Sequence, residues 1–252
     1  MNRFIVAALP CMLAALACLC STAVDAQWNA RSTASLGRGY GNIALGQSIL
    51  SGTRRLGAGT SARPDAARRS PSTPAQIEAA LTYTADPQQS DRIRAAMLDA
   101  VSGPAPAARA DMEKAFADGA VLKEFERFMS GHGYSSRNVA DDMAALLVVC
   151  WEIFTDGTAS KAQIRGAHQQ VRGVFLGTPR LRAMTNAERQ DMAERAAYQV
   201  VISLAARQEA LRSSDPAQLA QIRQSAAAML LAQVGIDMSR LRLTEQGFHS
   251  KS

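Results

Sequence analysis

Nine consecutive apolar residues, Met143 to Trp151, sit in the middle of the chain between Asp141-Asp142 and Glu152. The run belongs to a longer segment, Ser136 to Gly157, that stops at Asp156-Gly157. A helix that is apolar nearly all round has to lie at the centre of a bundle, covered on several sides. The run is too short to span a bilayer, which takes about 20 apolar residues. The sequence therefore predicts a core helix beginning near Ser136, inside an all-α domain.

The N-terminus has a different logic. Arg3 is followed by an apolar stretch, Phe4 to Leu19, and then by Val24-Asp25-Ala26, with small residues at the −3 and −1 positions before Gln27. That order predicts a cleaved signal peptide over 1–26 and an exported, periplasmic or secreted, product with no transmembrane segment in the mature chain. Cleavage removes Cys11, Cys18 and Cys20, so Cys150 is the one thiol of the mature chain, and inside the apolar run it is expected to be a buried small hydrophobe. Arg3 and Asp25 leave together, one charge of each sign, and the formal net charge stays at +6.

Residues 27–74 are rich in Gly, Ser, Thr, Ala and Arg, with Pro64, Pro71 and Pro74 near the end. Such a composition buries too little apolar surface to offset the entropy of ordering it, which predicts a flexible basic linker. Arg54, Arg55, Arg63, Arg68 and Arg69 concentrate its charge and suit an anionic surface. One apolar island, Tyr40 to Leu50, could dock on the domain or on a partner. Gly37, Gly39 and Gly41 do not make a dinucleotide loop, because no strand precedes them.

From 75 to 248 the chain reads as helix after helix. Asp86-Pro87 and Asp215-Pro216 are start signals, Asp118-Gly119 restarts a helix, and Ser160-to-Gln163 and Thr185-to-Glu188 fit capping boxes. Ile164, Ala167, His168, Val171, Val174 and Phe175 recur at helical spacing, and Gly177 and Gly235 close their helices. No strand-like alternation persists, although an extended piece is expected around Leu241 and Leu243. Short connections between helices argue for a single multi-helix bundle, with 249–252 as a tail.

Several segments carry a resemblance: Gly133-Tyr134, Asn138 to Asp142, Trp151, Gln169 to Arg172, Met184 to Glu194, Tyr198, Val234 to Asp237, and Leu241 to Phe248. In this order, from about Thr82 to Phe248, the chain resembles a family of exported bacterial proteins carrying a domain of unknown function. The resemblance implies export and a helical domain. It implies no activity and no functional residue.

The residues themselves give little chemistry. His132, His168 and His249 show no metal-ligand spacing, no cofactor motif is present, and His168 reads as a core or boundary histidine. Asp141 and Glu152 lie about 16 Å apart along one helix, too far for an acid–base pair. Glu188, Asp191 and Glu194 read as a solvated first turn that complements the helix dipole, and Trp151 and Tyr198 as core aromatics. Loops are the better place for recognition, which makes Tyr134, Thr244, Glu245 and Phe248 the candidate binding residues. The leading expectation is an exported, non-catalytic domain that binds a partner protein or an anionic envelope component. A hydrolase of cell-wall material using Asp141, Glu152 or Glu188 is the alternative, as is a secreted antagonism or host-directed factor. Nucleic acid is disfavoured, because the helices lack a basic stripe interleaved with aromatics.

Overall fold

A computed structural model describes residues 73–102 and 106–251 of the chain. The expected signal peptide over 1–26, the basic linker residues 27–72 with their arginines and apolar island, and the Gly103-Pro104 stop lie outside the described residues.

The apolar run forms α5, Val139–Thr155, and every residue from Val139 to Cys150 is buried. We number the helices before it α1 Pro74–Leu81, α2 Pro87–Ser102, α3 Pro106–Phe116 and α4 Ala120–Gly131. After it come α6 Lys161–Gly177, α7 Pro179–Arg182, α8 Asn186–Ser213 and α9 Pro216–Val234. Helices α6, α8 and α9 pack around α5, while α2 and α4 cover α8 from outside. An all-α bundle centred on the apolar helix is what the sequence predicts, and it is what forms. Among the described residues no helix is long and apolar enough to cross a membrane.

The start signals act as expected at Ser160, Thr185 and Asp215, whose side chains accept from backbone N–H groups of the following turn. Asp118 and Gly119, both at positive φ, restart the chain before α4. The core helix differs from expectation at its first turn: its cap is Asn138, not Ser136. The Asn138 side chain accepts from the N–H groups of Ala140 and Asp141 at 3.1 and 3.3 Å. Upstream, the Tyr83 N–H donates to the Arg137 carbonyl at 3.0 Å and the Tyr83 hydroxyl to the Ser136 carbonyl at 3.1 Å. Those bonds, with a bridge between Thr82 and Asn138, hold residues 136–138 against the α1–α2 connection, so the helix begins only after them.

The C-terminal segment adds a hairpin. Strand β1, Leu241–Thr244, pairs antiparallel with β2, Gly247–Ser250, in the register Leu241 to Ser250 and Leu243 to Phe248. The expected domain end at 248 falls inside β2. Strands of four residues leave too short an alternation to stand out in a sequence. The hairpin lies on α6. Gln170 pairs with the Phe248 backbone in both directions, accepting its N–H at 2.7 Å and donating to its carbonyl at 2.9 Å. Gln163 donates to the Leu243 carbonyl at 2.9 Å. Gly166 stands between these glutamines, and a Cβ there would overlap the Glu245 carbonyl. A stripe of residues 163, 166 and 170 thus seats the hairpin.

Candidate functional site

The first turn of α5 carries two adjacent aspartates, about 100° apart around a helix of 3.6 residues per turn. Both are buried, Asp141 completely and Asp142 with 1% exposed. They differ in their partners. Arg172 of α6 grips Asp141 through both oxygens, its Nε lying 2.8 Å from Oδ1, and His168 approaches with Nδ1 at 2.9 Å. Arg172 also reaches Glu78 of α1 at 3.5 Å. Burial alone would raise the Asp141 carboxyl, but the hydrogen bonds from Arg172 and His168 outweigh it and hold the group below the usual carboxylate range.

An ionised carboxylate can only accept, so His168 must donate its Nδ1–H to Asp141. In a neutral ring that leaves Nε2 as an acceptor, and it has no hydrogen-bond partner among the described residues. The His168 ring is 3% exposed. Tyr134 lies flat on it, with centroids 3.5 Å apart and planes 9° from parallel. Tyr134 is placed by its backbone N–H, which donates to the Met129 carbonyl at the end of α4 at 3.0 Å.

Beside this stack is a cleft of about 60 Å³ between α4, α5 and α6. Phe128, Met129, Val148, Val149 and Ile164 form its apolar walls, and His132, Tyr134, Glu152 and His168 supply the polar lining. One Glu152 oxygen accepts from the Ala159 N–H at 2.7 Å, which fixes the carboxylate at the junction of α5 and α6. The His132 ring tilts against Phe128 at 4.9 Å. On α6, residues 164 and 168 face the cleft while 168 and 172 hold Asp141, a stripe distinct from the one that seats the hairpin.

Asp142 meets a different environment. Neither carboxyl oxygen has a hydrogen-bond partner among the described residues. Burial first, then the neighbouring charges of Asp141 and Glu194, push its carboxyl well above the ordinary range. Glu194 on α8 is also buried and raised by burial, although Ser90 donates to it at 2.7 Å and Gln190 at 2.9 Å. Asp191, one turn earlier, is 4% exposed and bonded to Arg195 at 2.8 Å. The expectation of a solvated acidic turn is therefore wrong for Asp191 and Glu194. The physical reason is that α2 lies over the start of α8, and Ser90 and Gln190 supply the polar partners that let an acid go inside. Glu188 alone keeps the expected role, accepting from the Thr185 N–H at 2.7 Å in the cap.

Of the four loop residues expected to bind, Tyr134 lines the cleft. The other three stand on the hairpin. Phe248 is buried in the core at 1% exposure, Thr244 uses its hydroxyl within the turn by accepting from the Gln246 N–H at 3.2 Å, and the Glu245 side chain is exposed. The carboxylates considered for hydrolysis are not assembled: Asp141 is closed in its ion pair, Glu152 lines the cleft three turns further along α5, and Glu188 caps α8. Cys150 and Tyr198 are core residues, the thiol pushed up to about 12 by burial and the phenol ring 5.0 Å from Phe116. The described residues contain no group of three or more His, Cys, Asp or Glu side chains that could hold a metal ion.

The sequence assigns Arg172 no role, and it places Glu194 at the surface. An arginine one turn after a histidine on an apolar helix face hints at a buried anion opposite. Nothing local marks Glu194.

Fold and site together define a helical bundle with a small aromatic cleft built over a buried carboxylate–imidazole–guanidinium cluster. The chain belongs to a family of unknown function, DUF6683, whose model matches residues 7–251. No curated protein and no solved structure matches it.

Proposed function

We propose that this protein is an exported, non-catalytic recognition domain that binds a partner protein of the cell envelope through the Tyr134–His168 cleft. The carrying observation is the preorganised platform: Tyr134 stacked on a histidine that a buried ion pair locks in orientation. A rigid aromatic at a cleft rim contributes contact area at little entropic cost. The basic residues Arg54 to Arg69 add attraction to an anionic surface and bring the domain to its partner. Export rests on the order of Arg3, the apolar stretch and the Val24-to-Ala26 site; N-terminal sequencing of the secreted or periplasmic protein should begin at Gln27.

The test is capture from the envelope fraction, comparing the wild type with Tyr134→Ala and Glu245→Ala. The reading predicts a partner lost with Tyr134→Ala and kept with Glu245→Ala. A partner insensitive to Tyr134 but lost at high salt, or on removal of residues 27–72, would move recognition to the arginines. No partner in any form would count against binding altogether.

One observation favours a second reading. Asp141 orients His168 and leaves Nε2 unpartnered, the arrangement that lets an imidazole move a proton. Hydrolysis of envelope material that disappears in His168→Gln, with Tyr134→Ala retaining it, would favour that reading over the first.

A further inference from the structure

The lining of the cleft is specific enough to say what it takes. Its apolar walls suit a hydrocarbon stem. At roughly 10–15 Å³ per water-sized occupant, 60 Å³ holds about four to six heavy atoms. That number suits the five heavy atoms of a lysine side chain beyond its Cα. The polar groups it would meet are acceptors. Glu152 has one oxygen engaged by the Ala159 N–H and is the one acidic side chain of the lining among the described residues. His168 offers Nε2 from a ring 97% buried, with no partner among the described residues. Phe128, His132 and Tyr134 are aromatic members of the lining, and ring faces attract cations. Arg165 and Arg172 act electrostatically on the Tyr134 hydroxyl, but neither lines the cleft, and Arg172 is engaged by Asp141 and Glu78.

We infer that the cleft binds the ammonium end of an unbranched alkyl chain, as a lysine side chain of the partner protein presents it. The aliphatic stem lies between Ile164, Val148 and Met129. The ammonium donates to Glu152 and to His168 Nε2, under the Tyr134 and His132 rings. The inference rests on the cleft being the recognition site, and it names the chemistry recognised there.

The purified protein is titrated with Nα-acetyl-lysine methylamide and followed by NMR at the Tyr134 ring and the Ile164 methyls. Saturable shifts at millimolar concentration are expected, weakened about tenfold in Glu152→Gln, which keeps an acceptor for Ala159 but loses the charge. The hairpin variant Glu245→Gln should bind as the wild type does. Nα-acetyl-norleucine methylamide has the stem without the charge, and it and butyrate should give no saturable shift. Equal binding of the norleucine compound, tighter binding of butyrate or phosphocholine, or no saturation with the lysine compound would overturn the inference. If the lysine compound fails while partner capture still depends on Tyr134, recognition through the cleft stands and only its chemistry is wrong. Failure of both removes the cleft as a site.

Discussion

Asp141 and Asp142 are neighbours in sequence, share one helical turn and are equally hidden from water, yet they build opposite environments. Asp141 turns toward α6, where Arg172 compensates its charge and His168 bonds to it, and the result is an oriented imidazole in the lining of a cleft. Asp142 lies within electrostatic reach of Glu194 on α8, neither oxygen has a hydrogen-bond partner among the described residues, and the result is a buried carboxyl pushed well above its ordinary range. Burial alone does not make a functional group. A buried acid becomes useful when a counter-ion keeps it charged and it orients a second side chain that lines a cleft.

Substitutions at four positions test the contrast. The largest effect is expected for Asp141→Ala, which leaves Arg172 without its main partner and unfixes His168; about 3 kcal/mol of stability should be lost in urea unfolding at neutral pH. A loss below about 1 kcal/mol would mean that the ion pair contributes no more than an exposed one.

Gly166→Ala comes next and separates the two stripes of α6. The new methyl pushes on the Glu245 carbonyl, which should cost about 2 kcal/mol and raise amide exchange at Leu243 and Phe248. The Tyr134–His168 stack should be untouched, since it lies on the other stripe. Loss of that stack would show that hairpin and cleft form one unit.

Asp142→Asn should have an effect of about 1 kcal/mol whose sign depends on pH. A carboxyl raised in the folded state contributes most stability below the ordinary carboxyl value of about 4. It loses that contribution as pH rises through its raised value. Asp141, lowered in the folded state, does the reverse: its contribution is present above the ordinary range and is lost as pH falls through the lowered value. Thermal unfolding across pH should therefore show Asp142→Asn removing part of the decline as pH rises above the ordinary carboxyl range, and Asp141→Asn removing part of the decline as pH falls below it. Identical pH profiles for the two variants would erase the distinction.

Tyr134→Ala is expected to change stability least, by about 1 kcal/mol or less, because the ring is only half-buried. Its consequence should be in binding. A large loss of stability with unaffected capture would make Tyr134 a cover for His168 and nothing more.

How much of this the sequence shows follows from what kind of signal each feature leaves. The core helix is legible because residues 143–151 admit no exposed face, and the helix starts at Ser160, Thr185 and Asp215 because caps are local chemistry. The hairpin is half legible: Leu241 and Leu243 suggest an extended piece, while the amide of Gln170 that holds β2 stands 78 positions from Phe248. Gly166 inside a helical pattern was a usable hint of close approach by another backbone. The two buried acids are the least legible. Asp141 and Asp142 look alike in a row of letters, and which one meets Arg172 depends on the rotation of α5 against α6. Asp191 and Glu194 read as a solvated turn because only the packing of α2 over α8 reveals otherwise.

The central claim is that Asp141 holds the His168 proton on Nδ1 and leaves Nε2 as a free acceptor in the cleft. Long-range proton–nitrogen NMR of the imidazole at neutral pH tests it most directly. Nδ1 should be protonated, and Nε2 should be unprotonated and respond when the cleft is occupied. A proton on Nε2, with Nδ1 bare against Asp141, would contradict it.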